Sequence, residues 1–223
     1  MTALALPAAG PLSDRPGELL LLLGALALLP LALATLTSFL KFAVVLSIAR
    51  SALGAPQVPP SSAVAGLALL LTLVAMAPVG EAALEAWRRG PEPRSAEATL
   101  AAAARAAEPL RSFLARHARA DDRGTFLDLA RRARPAGPPP GERDLAVLAP
   151  AFVVSELRRA FTIGFLVFLP FLVVDLLCAN VLLALGLTQL SPTSVALPFK
   201  LLLFVAVDGW RLLARGLVLG ALP

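Results

Sequence analysis

"AFTIGFLVFLPFLVVDLLCANVLLALGLTQLSPTSVALPF", residues 160–199, carries a single formal charge. Fifteen uncharged residues precede Asp175 and 24 follow it. A membrane-crossing helix needs about 20 mostly apolar residues, so Asp175 falls close to the middle of any span drawn through this stretch. A charge at such depth costs about 2.5–3.5 kcal/mol, whereas one Leu, Ile, Phe or Val returns only about 0.3–0.6 kcal/mol. Intramembrane carboxylates are therefore paired and turned inward, and Lys41 and Lys200 are the two candidate partners for Asp175.

The rest of the chain has the same character. It is 58% hydrophobic and 16% charged, with a mean hydropathy of +0.79. A soluble domain is about half apolar and a quarter charged. The charges are also segregated, with 14 of the arginines and 11 of the 15 acids lying between Glu81 and Arg159. Uncharged runs occupy residues 19–40, 51–80, 160–174 and 176–199. These features predict an all-α, membrane-associated protein of helical hairpins with kinked hydrophobic helices and a small helical polar insert. The expected organisation is an N-terminal tail at 1–18 and a first hairpin at 19–80. The polar insert, with a Pro/Gly-rich linker, follows at 81–150, and a second hairpin at 151–223.

Within the last segment, "LPFKLLLFVAVDGW" (residues 197–210) embeds Lys200 and Asp208 in an apolar run. At about 100° per residue in one continuous helix, Arg211, Arg215 and Asp208 fall within about 80° of Lys200. Such a stripe suits a helix facing a protein assembly or a watery lumen. The plainer reading pairs Asp208 with Arg211 at i+3 and lets the arginines snorkel to a span end. That leaves Lys200 unexplained, so the stripe reading is preferred.

Two tips repeat. "ALGAPQVPPSS" (52–62) and "ALGLTQLSPTS" (184–194) share A-L-G-x-x-Q-x-x-P. Gly54 and Gly186 suit the left-handed residue just past a helix. Pro60 and Pro192 suit the first turn of the next helix, with Ser191 as an N-cap. The repeat implies two related hairpins whose tips lie on one side. Pro30 and Pro170 add kinks, and Ala160 with Gly164 forms a small-xxx-small pair suited to close helix contact.

In the insert, Leu110, Phe113, Leu114 and His117 follow helical spacing behind Pro109. His117 reads as a packed histidine rather than a ligand. Thr125 and Asp128 resemble a capping box, and "RPAGPPPGE" (134–142) is a breaker-rich linker. With one Cys, one His and no Tyr, the chain offers no metal set, no cofactor site and no catalytic dyad. Cys178 reads as a small hydrophobe. Acids interleaved among the arginines argue against a nucleic-acid footprint. The first 18 residues lack a basic n-region, so a cleaved signal peptide is not expected.

"TSFLKFAVVLSIARSALGAPQVPPSSAVAGLALLLTLVAMAPV" (37–79) resembles the R subunit of the bacterial type III secretion export apparatus, the SctR/YscR family, homologous to flagellar FliP. "LAPAFVVSELRRAFTIGFLVFLPFLVVDLLCANVLLALG" (148–186) and "LPFKLLLFVAVDGWRLL" (197–213) resemble its second half. Lys41, where the flagellar branch tends to have Arg, tilts the resemblance toward the injectisome branch, as does the lack of a signal peptide. The resemblance implies a non-enzymatic pore subunit of the bacterial inner membrane. It forms a pentamer that assembles with S and T subunits, passes unfolded proteins and carries its polar insert on the periplasmic side. It also implies that the loop Gly186, Leu187, Thr188, Gln189, Leu190, Ser191 and Pro192 narrows the channel. Flagellar relatives place methionines there; in this chain Leu187 and Leu190 stand in their place. The expected assembly charges are Lys41, Asp175, Lys200, Asp208 and Arg211. A small-solute or proton-coupled transporter is the alternative, because it too would use intramembrane Asp and Lys on broken helices.

Overall fold

The computed structural model describes residues 16–55, 57–91, 96–134 and 139–222. Residues 1–15 of the expected tail, Pro56 of the first tip and residues 135–138 of the linker lie outside them. Among the described residues all regular structure is helical. The apolar elements are α1 (Pro16–Leu36), α2 (Phe39–Ala52) and α3 (Ser61–Arg88). The polar insert contributes α4 (Ala96–Ala106), α5 (Glu108–His117) and α6 (Ala120–Ala133). The chain then enters α7 (Leu145–Ala184), followed by α8 (Pro192–Ala206) and α9 (Gly209–Leu219).

α7 is the mast of the molecule, and α2, α5, α6 and α8 all pack on it. At 40 residues it is about 60 Å long, so one helix runs from the polar insert through the apolar region. Its closest neighbour is α2. Ala160 and Gly164 are both buried, and a Cβ on Gly164 would strike the Ile48 side chain. The small pair thus brings two backbones together, as its spacing implied. Phe42, Val45 and Leu46 of α2 join Val64 and Ala68 of α3 in one buried cluster. A second cluster sets Phe113 and Leu114 of α5 against Leu148, Ala151 and Phe152 of α7, anchoring the insert.

Both tips take the expected turn. Gly54 has φ +79° and Gly186 φ +72°, where a side chain would be strained. A Cβ on Gly54 would lie 3.8 Å from Thr193 Cγ2, so the two tips occupy the same end of the molecule. The second is the freer one, and Leu187 and Leu190 within it are exposed. Ser191 occupies the N-cap position of α8, but its side chain makes no capping hydrogen bond.

Three sequence expectations need correction. The apolar run 19–40 is not one helix: α1 and α2 meet at a 77° bend. At that bend the Thr37 hydroxyl donates back to Leu33 O at 2.5 Å and accepts from Phe39 N–H at 3.2 Å. Neither Pro nor Gly marks the place. Thr125 does not cap α6, which begins at Ala120; its hydroxyl donates to Asp121 O at 2.9 Å from inside the helix.

The largest correction falls on residues 199–222, which form no continuous helix. Asp208 adopts φ 53°, ψ 52° and separates α8 from α9. Asp tolerates the left-handed region better than most residues. Its neighbour Gly209 leaves space that the Phe204 ring fills, with Trp210 edge-on to that ring at 5.1 Å. The stripe of four charges is therefore split at its middle.

Among the described residues two helices, α3 and α7, are long and apolar enough to cross a membrane, or three if the bent α1–α2 pair counts as one span.

Candidate functional site

Among the described residues, charges set among apolar helices form one buried ion-pair centre and one half-buried one, both built on α7. In the first, Lys41 of α2 points its ammonium at Glu156, Nζ to Oε2 3.0 Å, and Arg159 reaches the same carboxylate, Nη1 to Oε1 2.7 Å. Glu156 is completely buried and Lys41 is 2% exposed. The Lys41 ammonium also donates to Gly220 O at 3.3 Å, just past the end of α9. One side chain thereby joins α2, α7 and the C-terminal arm. A cation at a helix C-terminus is favoured by the unpaired carbonyls there.

The insert is tied to the same turn of α7. Ser155 donates to Asp122 Oδ2 at 2.6 Å and accepts from the Arg119 N–H at 2.9 Å. Arg158 approaches Asp122 Oδ1 at 3.4 Å. His117 lies close by, with its Nδ1 3.0 Å from Phe113 O and its ring 4.3 Å from that of Phe113. Burial holds its pKa below 6.5. The Phe113 carbonyl and Glu156 pull upward against this, and Lys41 and Arg159 add to the depression. This is the packed histidine that the spacing implied.

The second centre lies 19 residues further along α7. Asp175 Oδ2 accepts from Lys200 of α8 at 2.6 Å, and Lys200 is 3% exposed. The Lys200 ammonium donates as well to Ala52 O, the last residue of α2, at 3.1 Å. Of the two candidate partners for Asp175, then, Lys200 takes it and Lys41 goes elsewhere. Asp175 Oδ1, although buried, has no hydrogen-bond donor among the described residues.

Asp208 and Arg211 belong to neither centre. Arg211 Nε lies 2.8 Å from Asp208 Oδ2, and both side chains are largely exposed, at 79% and 54%. The local i+3 pairing is present, and the break at Asp208 takes Arg211 out of the stripe drawn for one continuous helix. Glu156 is the functional residue that sequence reasoning missed. Its signal was its place in "SELRR", two residues before a pair of arginines and four before the long uncharged run. The arginines beside it gave this start of the second hairpin the look of a solvated face.

The centres can hold helices in register, which is structural chemistry. A buried carboxylate with two cations is stable only while all are present, and removing one partner costs about 3–5 kcal/mol. The chain matches the FliP family over residues 22–217.

The chain belongs to the FliP family. It is 45% identical over 205 residues to the Yop proteins translocation protein R of Yersinia pestis, covering 91% of this chain and 94% of that protein. It is 46% identical over 212 residues to the pathogenicity-related ORF2 product of Xanthomonas campestris pv. glycines, covering 92% and 97%. It is 45% identical over 201 residues to the flagellar biosynthetic protein FliP of Pectobacterium carotovorum, covering 90% and 76%. Both ion-pair centres of this FliP-family chain lie inside the matched region.

Proposed function

We propose that the chain is a structural, non-enzymatic subunit of the type III protein export gate in the bacterial inner membrane. In this reading it forms a pentamer with copies of itself, assembles with S and T subunits and lines a path for unfolded proteins. The observation that carries the reading is the FliP-family match across nearly the whole chain, joined to relatives named for translocation and flagellar biosynthesis. The physical arrangement agrees with it. Only 11% of the most apolar part of α7 is buried within the chain, which leaves most of its surface to be covered by lipid or neighbouring subunits.

Lys41, Asp175 and Lys200 set the register of helices within the subunit. Asp208 and Arg211, being exposed, are placed to meet a neighbour. The exposed loop Gly186–Pro192 narrows the channel, with Leu187 and Leu190 as its apolar contacts, and the polar insert lies on the periplasmic side.

Co-expression with the S and T partners, native mass measurement and a secretion assay test the proposal. A discrete hetero-oligomer and partner-dependent export are expected. A chain that stays monomeric with its partners and transports small solutes alone in liposomes would refute it.

A further inference from the structure

Beside the Lys41–Glu156 centre lies an open cavity of about 270 Å³. Lys41, Arg119, Arg158 and Arg159 border it, together with Thr162 and the backbone of Gly220, and no carboxylate does. Glu156 pairs with Lys41 and Arg159, Asp122 with Arg158 and Asp121 with Arg119, so four cations meet three carboxylates. Glu156 sits between two cations, so positive charge is in surplus. Gly216 and Gly220 narrow nothing with side chains.

Position along α7 decides what the cavity fits. Arg158 and Arg159 are the last charges before the uncharged run 160–174. Phe165 and Leu166 follow Thr162 at i+3 and i+4, on the same helix face, and both are about 60% exposed. Leu169 extends that exposed row. A basic hollow that opens onto an apolar stripe at a polar–apolar boundary matches an amphiphile with an anionic head. The volume falls just short of the usual range for ligand pockets, which suits a headgroup with its tails outside.

We propose that this cavity binds the phosphate of an anionic phospholipid, whose acyl chains lie along the Phe165–Leu166–Leu169 row. Guanidinium groups hold phosphate oxygens by paired, charge-assisted hydrogen bonds, and the buried ammonium of Lys41 closes the inner end. The assignment concerns the lipid contact of the subunit and does not depend on what passes through the gate.

The test uses the full chain in detergent micelles. Phosphatidylglycerol, phosphatidylcholine with the same acyl chains, and inorganic phosphate are the probes. Native mass spectrometry reads retention and a thermal melt reads protection. Wild type should retain phosphatidylglycerol in preference to phosphatidylcholine. The double variant Arg119→Gln/Arg158→Gln should bind it at least about tenfold more weakly, and Arg119→Lys/Arg158→Lys should recover part of the loss. Arg88→Gln/Arg89→Gln removes the same charge elsewhere and should bind as wild type. Unchanged helix content and elution volume confirm that each variant folds. Equal retention by wild type and the cavity double variant would overturn the proposal. So would inorganic phosphate protecting as well as the lipid. Exclusion of phosphatidylglycerol from the cavity once subunits assemble would overturn it too, assigning the pocket to a neighbour's carboxylate.

Discussion

The Lys200 ammonium sits 2.6 Å from Asp175 Oδ2 and, at 3.1 Å, also donates to the final carbonyl of α2 at Ala52. One lysine of α8 therefore governs the packing of two other helices. Lys200→Met should lower stability by about 1–3 kcal/mol, because it leaves a half-buried carboxylate without its cation. Adding Asp175→Leu should recover most of that loss. Chemical unfolding of the detergent-solubilised protein reads both, and a double variant no better than Lys200→Met would count against the pairing.

Glu156 carries two cations, so Glu156→Gln should be more damaging than Lys41→Met. It strands Lys41 in a site that is 2% exposed, whereas Arg159, with a side chain 36% exposed, can turn toward water. The coupling between Lys41→Met and Glu156→Leu in a double-mutant cycle should lie at about 0.5–3 kcal/mol. Additive effects would show that the two act independently.

Gly164→Ala should cost about 1–3 kcal/mol through overpacking against Ile48, partly offset by the better helix propensity of Ala. Ile48→Ala in the same chain should relieve the clash. Melting temperatures of the three variants decide it; a stabilised Gly164→Ala single variant would mean that the α2–α7 contact is looser than described.

Asp208 should respond to its backbone and not to its charge. Asp208→Gly and Asp208→Asn should leave the isolated chain as stable as wild type, since exposed ion pairs contribute about 0–1 kcal/mol. Asp208→Val should destabilise it by about 1–2 kcal/mol, because a branched residue is strained at φ 53°. Thermal unfolding of the isolated subunit separates this from any effect on assembly, which gel filtration with the partners would read.

His117 gives the insert a pH dependence of known sign. Its folded pKa lies below 6.5, so the unfolded chain takes up the proton first as pH falls. Stability should be full above about pH 6.5 and decline below it, down to the folded pKa. His117→Phe keeps an aromatic ring against Phe113 and should flatten the decline in melts across a pH series. An unchanged slope in that variant would place the titration elsewhere.

How far the sequence foretold this structure depended on how local each feature is. Gly54 and Gly186 were legible because only a turn with positive φ calls for glycine between a helix end and a proline-bearing restart. Ala160 and Gly164, and the buried face of α5, followed from spacing alone. That Asp175 needed a cation was a matter of solvation energy; which lysine supplied it depended on the path of the chain between them. Glu156 escaped because flanking arginines mimic a solvated face. The breaks at Thr37–Ser38 and Asp208 escaped because hydropathy carries no information about φ, and a left-handed aspartate leaves the apolar run intact on both sides.

Lys41 and Lys200 bind at opposite ends of one arrangement, since Lys41 leaves α2 near its start and Lys200 grips its final carbonyl. The spacing from Lys41 to Ala52 is thus a measured length. One residue added inside α2 would swing its far end by about 100° and lengthen it by about 1.5 Å, pulling one grip loose whenever the other holds. The same addition beyond Gly54, in the connection to α3, disturbs neither. Insertions and deletions during divergence should accordingly collect at the tips and spare the interval between the two lysine grips.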